Sequence, residues 1–280
     1  MWIISFWIFP VISACMWLAM LAAMLGSWCV QGYPIYASME PGQTIAYISD
    51  VGAQGLKPLF ITGSVITVVF LDLSFIAERW LRHAGQLVPN KGMLDKACAI
   101  GSIFFSLAGA AGLILLSIFD TLRHPRLHGG FLAMFLAAYL VSAILICIEY
   151  LRLGIFYRPH HRILFISFWI KAFFVVVELG LAIAFGVCGW HSPHHRNAAA
   201  VLEWVIALVF TFYVLSFVID LLPSVRTRNH VPQGEKRIGS SESDSEQPAM
   251  VYEEPLTQDS TGPNADMSTN YYRESRPQHF

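Results

Sequence analysis

Residues Gly129 to Leu151 read GGFLAMFLAAYLVSAILICIEYL, an apolar run whose only charged member is Glu149. About 20 such residues in a helix cross the roughly 30 Å of a bilayer's hydrocarbon core, so the stretch predicts a transmembrane helix. Five more apolar runs of similar length lie at approximately Ile4 to Val30, Pro58 to Ala77, Ala97 to Phe119, Ile163 to Cys188 and Ala199 to Leu222. Barrel strands would read as segments of about 10 residues alternating in hydrophobicity, and open sheet edges are not satisfied in lipid. No such alternation occurs. The expected fold is therefore all-α: a polytopic membrane protein with a bundle of six transmembrane helices. Composition agrees, because the 280 residues are 55% hydrophobic and 13% charged, against about 25% charged in a soluble globular domain. The first run lacks a basic n-region and is longer than a signal peptide's apolar core, so it is read as a span.

Lys and Arg in short loops set the orientation. Arg79, Arg82, Lys91, Lys96, Arg152, Arg158, Arg162, Arg226, Arg228, Lys236 and Arg237 fall on one side, facing Lys57, Arg123, Arg126 and Arg196 on the other. The richer side is expected to be cytoplasmic, with both termini. Arg152, Arg158, Arg162, Arg226 and Arg228 form the basic surface predicted there, where each cation near anionic lipid is worth about 1 kcal/mol. From Ser224 the apolar pattern stops, and SSESDSEQP, EEP and TGPN have the polar, proline-containing composition of disorder. The predicted organisation is a six-span domain over 1–223 and a disordered cytoplasmic tail over 224–280. The serine run Ser240, Ser241, Ser243 and Ser245 reads either as a phosphorylation target or as plain solvated tail.

Ionisable residues within spans cost about 2.5 to 3.5 kcal/mol each on insertion scales, which makes them functional candidates. Asp72, Glu149 and Asp220 lie toward the cytoplasmic ends of their runs, Lys171 and Glu178 lie in the fifth run, and Glu203 lies near the outer end of the sixth. Lys171 and Glu178, seven apart, share a helix face but sit about 10 Å apart along its axis, too far for a direct bond. The expected partners of Lys171 are Asp72 and Glu149. These charges read either as polar glue within the bundle or as a lipid-headgroup or substrate site.

On the outer side, His124, His128, His191, His194 and His195 gather in two loops with Asp50 and Asp120. Histidines with carboxylates can hold zinc and activate water. Here HExxH and other tight ligand spacings are missing, so headgroup contact or a pH-sensitive surface is the preferred reading, and neither metal nor cofactor is expected. Walker, Rossmann and GxSxG signatures are likewise missing, which disfavours catalysis by familiar soluble chemistry, so a non-enzymatic role is expected, and no nucleic-acid partner is expected either. Cys29 and Cys188 are the two cysteines expected at outer helix ends, where an oxidising compartment would permit a disulfide. Ser102, Ser106 and Ala110 repeat every four residues, as close helix packing requires.

The first outer loop carries Tyr47-Ile48-Ser49-Asp50-Val51-Gly52-Ala53, whose Ser49-Asp50 pair and Gly52 suit a turn or helix cap re-entering the membrane. Phe119-Asp120-Thr121 ends the third run, His128 opens the fourth, Lys171 and Glu178 lie in the fifth, and Leu202-Glu203-Trp204 opens the sixth. With the stretch Tyr213 to Asp220, this set resembles the Frag/DRAM/Sfk family of six-span membrane proteins over roughly residues 1 to 223. Tyr47, Ser49, Asp50 and Gly52 carry the family motif. Asp50, Asp120, His128, Lys171, Glu178 and Glu203 are the corresponding lipid-binding or structural polar positions.

The resemblance implies membrane lipids as partners and a role in membrane lipid organisation. The acidic-serine tail is similar to the fungal Sfk-like branch, which implies a non-enzymatic regulator that helps place or tune a phosphatidylinositol 4-kinase complex at the plasma membrane. Other branches imply lipid handling in leaflet asymmetry, GPI-anchor remodelling or modulation of autophagy. The vacuole, lysosome or Golgi are their alternative locations. The span lengths favour the thicker plasma membrane.

Overall fold

The computed structural model describes residues 5–90, 92–157, 162–191 and 195–226. The expected disorder of the tail, and with it Arg228, falls almost wholly outside those residues, as do Arg158 and His194. The side chains of Arg162, Arg226 and His191 are also outside the description.

The described chain is helical, with no strand among the described residues. Its elements are α1 (Ile8–Val30), α2 (Ile48–Gly52), α3 (Lys57–His83), α4 (Met93–Ile118), α5 (Pro125–Phe156), α6 (Arg162–His191), α7 (Arg196–Leu221) and α8 (Pro223–Arg226). Six of these are long and apolar enough to cross a membrane. Helices close their backbone hydrogen bonds internally, which is what lipid demands. The protein is an integral, multi-pass membrane protein.

Each span packs beside the next in sequence, and α7 returns against α1, so α1, α3, α4, α5, α6 and α7 form a closed ring. Phe6 and Trp7 of the N-terminal segment pack with Leu81, Leu87 and Leu221, which puts the start of α1 beside the end of α7. We call this the tail end; the opposite, loop end carries residues 31–56 and α2.

Aromatic rings fill the centre of the ring of helices. Phe75 and Phe217 stand 4.8 Å apart, Tyr139 and Phe210 5.7 Å, and Trp17 and Phe210 5.9 Å. Trp17 also donates its indole N–H to the Ala207 carbonyl at 2.8 Å, joining α1 to α7. Ser102, Ser106 and Ala110 are buried, as close packing requires, and the Ser142 hydroxyl donates to the Ser102 carbonyl at 2.7 Å. The closest backbone approach at a glycine among the described residues lies two residues beyond Ala110. A Cβ on Gly112 would come within 2.7 Å of the Phe135 backbone nitrogen, so α4 and α5 meet there backbone to backbone.

Several helices run past the ends of their apolar runs, and in each case a paired charge explains the extension. α3 continues beyond Ala77 to His83, so Arg79 and Arg82 are helix residues and not loop residues. Arg82 pairs with Glu78 at 2.8 Å within α3, and Arg79 pairs with Glu149 of α5. α5 continues beyond Leu151 to Phe156, with Arg152 bonded to Asp95. α4 begins at Met93, four residues before its apolar run, because Asp95 accepts the Gly92 amide at 3.0 Å and caps the helix.

Candidate functional site

The motif from Tyr47 to Gly52 builds a short helix at the loop end, and α7 holds it in place. Asp50 closes the helix start by accepting the Tyr47 amide at 3.1 Å, and it also accepts the Gln43 side-chain amide at 2.9 Å. Glu203 of α7 accepts the Ile48 amide at 2.8 Å and is bonded by the Ser49 amide as well. Four N–H groups at a helix start lack intrahelical partners, so two carboxylates here do the work of an N-cap.

The neighbouring contacts repeat the arrangement. Trp204 donates its indole N–H to the Ala46 carbonyl at 3.0 Å, the Asn197 side-chain carbonyl accepts the Thr44 and Ile45 amides at 2.8 and 3.0 Å, and Tyr47 donates its hydroxyl to the Arg196 carbonyl at 3.1 Å. Burial, followed by the Glu203 and Asp50 carboxylates, pushes the Tyr47 phenol up to about 12. The motif and the Leu202-Glu203-Trp204 stretch are thus the two halves of one clamp. Gly52 fits tightly, since a Cβ there would lie 2.6 Å from the Phe60 ring and 3.2 Å from Met24.

Asp120 and His128 work elsewhere. Asp120, just past the end of α4, receives the Lys57 ammonium at 2.6 Å and the Arg123 amide at 2.7 Å. His128 brings Nδ1 to 3.0 Å from the Leu116 carbonyl and 2.9 Å from that of Phe119. Two carbonyl acceptors require that nitrogen to carry the proton, so His128 caps the C-terminus of α4. No hydrogen bond joins Asp50, Asp120 and His128: Asp50 serves the start of α2, while Asp120 and His128 both stand at the C-terminal end of α4. Among the described residues no three His, Cys, Asp or Glu side chains gather as metal ligands. Cys29 and Cys188 are free thiols.

Toward the tail end the span charges pair across helices. Lys171 of α6 bonds Asp220 of α7, not the expected Asp72 or Glu149, and also donates to Ser167 at 2.9 Å. The physical reason is position in the ring: α6 lies between α5 and α7, Arg79 already occupies Glu149, and Asp72 accepts the Ser106 hydroxyl. The Lys171 ammonium also lies 4.4 Å from the Phe217 ring and 4.8 Å from the Tyr150 ring, as cation–π contacts require. The Tyr150 hydroxyl donates to Glu78 at 2.6 Å, which carries the network on to Arg82. Arg82 also donates to the Val88 carbonyl at 2.9 Å, fixing the chain beyond α3. Arg152, assigned above to a basic surface, is partly committed to Asp95.

Glu178, further along α6, shares in none of this. Its Oε1 is buried and has no hydrogen-bond partner. It lines a chamber of about 100 Å³ with Trp17, Phe135, Phe174, Phe210 and Glu203 among its walls.

Sequence reasoning named most of these side chains but not Gln43, Asn197, Lys57 and Ser167 as their partners. Asn197, a short polar residue in the first turn of a span, was the one visible signal.

A family model described as the Frag1/DRAM/Sfk1/Cwh43P N-terminal domain matches residues 5–224. Protein sfk1 of Schizosaccharomyces pombe is 34% identical over 224 residues, which covers 80% of this chain and 66% of that protein. Protein SFK1 of Saccharomyces cerevisiae is 28% identical over 280 residues, covering 75% of this chain and 77% of that protein. The chain thus spans just under two thirds of the first relative's length. No solved structure matches. With the family model covering all six spans, and the clamp built from the residues that carry the resemblance, the chain belongs to the Frag1/DRAM/Sfk1 family.

Proposed function

We propose that this protein is a non-enzymatic membrane regulator of lipid organisation, whose cytoplasmic end helps place a phosphatidylinositol 4-kinase complex at the plasma membrane. In this reading the tail end of the bundle faces the cytoplasm with both termini, following the Lys and Arg bias of the loops.

The observation that carries the reading is the pairing of span charges at the tail end. Lys171 with Asp220 ties α6 to α7, Arg79 with Glu149 ties α3 to α5, and Tyr150 of α5 joins the two pairs by donating to Glu78 of α3 and lying against the Lys171 ammonium. Groups spent on one another are unavailable for chemistry on a substrate but make a stiff platform. Arg82 and Asp95 extend that stiffness to the chain between α3 and α4. At the platform's rim Met93 is 92% exposed and Leu94 52% exposed beside exposed Lys96, an apolar and basic edge suited to the interface and to a peripheral partner. The similarity to Protein sfk1 and Protein SFK1 supports the same branch of the family.

The test is the plasma-membrane fraction of the kinase's catalytic subunit in cells lacking this protein. Restoring the full chain should recover the kinase at the membrane, and restoring a chain without residues 224–280 should not. Equal recovery by both chains would rule out the proposal.

A further inference from the structure

Every other acidic side chain in the six spans has a partner supplied by the chain. Asp72 has Ser106, Glu78 has Arg82, Asp95 has Arg152, Glu149 has Arg79, Glu203 has the Ile48 amide and Asp220 has Lys171. Glu178 is the exception, with Oε1 buried and unpartnered. An isolated polar group in an apolar setting costs several kcal/mol on a scale with no compensating partner, so the one span carboxylate left without a partner calls for one from outside.

The surroundings say what kind. The chamber lined by Glu178 is otherwise apolar and aromatic, apart from the phenols of Tyr139 and Tyr213 and from Glu203, whose carboxylate already serves α2. Its volume of about 100 Å³ exceeds the roughly 10–15 Å³ that one water needs but is below the roughly 150 Å³ of a benzene-binding cavity, so it takes a head group and the carbons beside it and not a whole lipid. One wall is the face of α6 formed by Phe174, Val175, Glu178, Ala182 and Phe185, all only partly buried. The spacing is that of a single helix face. α6 packs on α5 and α7 and exposes Phe173, Val176, Leu179 and Ile183 on its other positions, so the chamber lies one helix away from lipid.

We propose that this chamber binds the head of an uncharged lipid that carries a hydroxyl, held by a hydrogen bond to Glu178 with the carbons next to the head among the aromatic walls. A hydroxyl can donate to a carboxylate or accept from a carboxylic acid, so it satisfies Glu178 in either protonation state. Glu178 stands near the middle of the 30-residue α6, where an ammonium or phosphate head would have to shed its water in mid-bilayer and a neutral hydroxyl would not. Sterols and diacylglycerols both carry this chemistry. The inference is independent of kinase placement and would stand if the tail end recruited nothing.

The experiment uses the full chain in phosphatidylcholine liposomes with four photoactivatable probes: a sterol, a diacylglycerol, a sphingoid amine and a phosphatidylcholine. The sterol or the diacylglycerol should label α6 or α7 above the other two, and whichever does so identifies the source. Glu178→Leu should cut that labelling about tenfold, the loss of one hydrogen bond worth about 1.4 kcal/mol, while Glu178→Gln should keep most of it. Ala182→Phe, which retains the carboxyl and fills the chamber, should also abolish labelling, and this guards against a folding defect specific to Glu178. Preferential labelling by the amine probe, loss of labelling in Glu178→Gln, or full labelling in Glu178→Leu or Ala182→Phe would each overturn the proposal.

Discussion

The carboxylate of Glu203, in the last span, accepts the backbone amide of Ile48 at 2.8 Å, across 155 positions of sequence. One side chain thereby fixes where the first loop-end segment re-enters the bundle. Glu203→Ala should free residues 44–52, costing about 1–3 kcal/mol for the buried donors left unsatisfied. Glu203→Gln keeps a carbonyl acceptor and should cost less. Hydrogen exchange of 44–52 checks this: the amides should lose protection in the alanine variant and largely keep it in the glutamine variant.

Lys171 and Asp220 form a buried pair between α6 and α7, both nearly inaccessible. Removing one partner strands the other, so Lys171→Met or Asp220→Leu alone should destabilise by about 3–5 kcal/mol, whereas the double variant should recover much of the loss. Thermal unfolding in detergent measures the cycle. Strict additivity of the two single effects would mean that the charges do not interact.

The ring order behind this pair was hidden in the sequence. The six spans were legible because each apolar run is long and nearly free of charge, and Gly129 to Leu151 alone fixed the class of fold. Helix ends were less so, since Arg79, Arg82 and Arg152 read as loop cations until the structure supplies Glu149, Glu78 and Asp95 beside them. In the same way Lys171 has candidate acids on three helices, and only the placement of α6 against α7 selects Asp220. The residues of the clamp were legible as a motif, but their geometry was not, because Tyr47 and Arg196 meet only when the ring closes.

Asp120 and Lys57 predict a pH dependence. Burial alone would raise the Asp120 carboxyl, but its bonds to Lys57 and the Arg123 amide outweigh that and hold it below the ordinary carboxylate value. A group with a depressed folded pKa adds stability above its unfolded pKa and loses it as pH falls through the folded one. The cost of Asp120→Asn should therefore be constant from about pH 5 to 8 and shrink below about pH 4, the ordinary range for Asp. Melting curves of both proteins across that range test it; a cost that grows on acidification would refute the pairing.

Gly52 and Gly112 predict different penalties. At Gly52 an added Cβ meets the Phe60 side chain and the end of Met24, which can shift; at Gly112 it meets the Phe135 backbone at 2.7 Å, which cannot. Overpacking costs about 1–3 kcal/mol or more, and Gly112→Ala should fall at the upper end and Gly52→Ala below it. The relative yield of monodisperse protein in detergent ranks the two.

In the proposed function the paired charges hold the bundle together while the cytoplasmic surface and tail act on phosphoinositide metabolism. The most direct test is live-cell imaging of a phosphatidylinositol 4-phosphate sensor at the plasma membrane, comparing the intact chain, a chain without residues 224–280, and Asp50→Ala with Glu178→Ala. The account predicts that the sensor signal falls on tail deletion and persists in the charge variants at matched abundance and localisation. A signal that survives tail deletion but is lost in the charge variants would contradict it and shift the activity into the bundle.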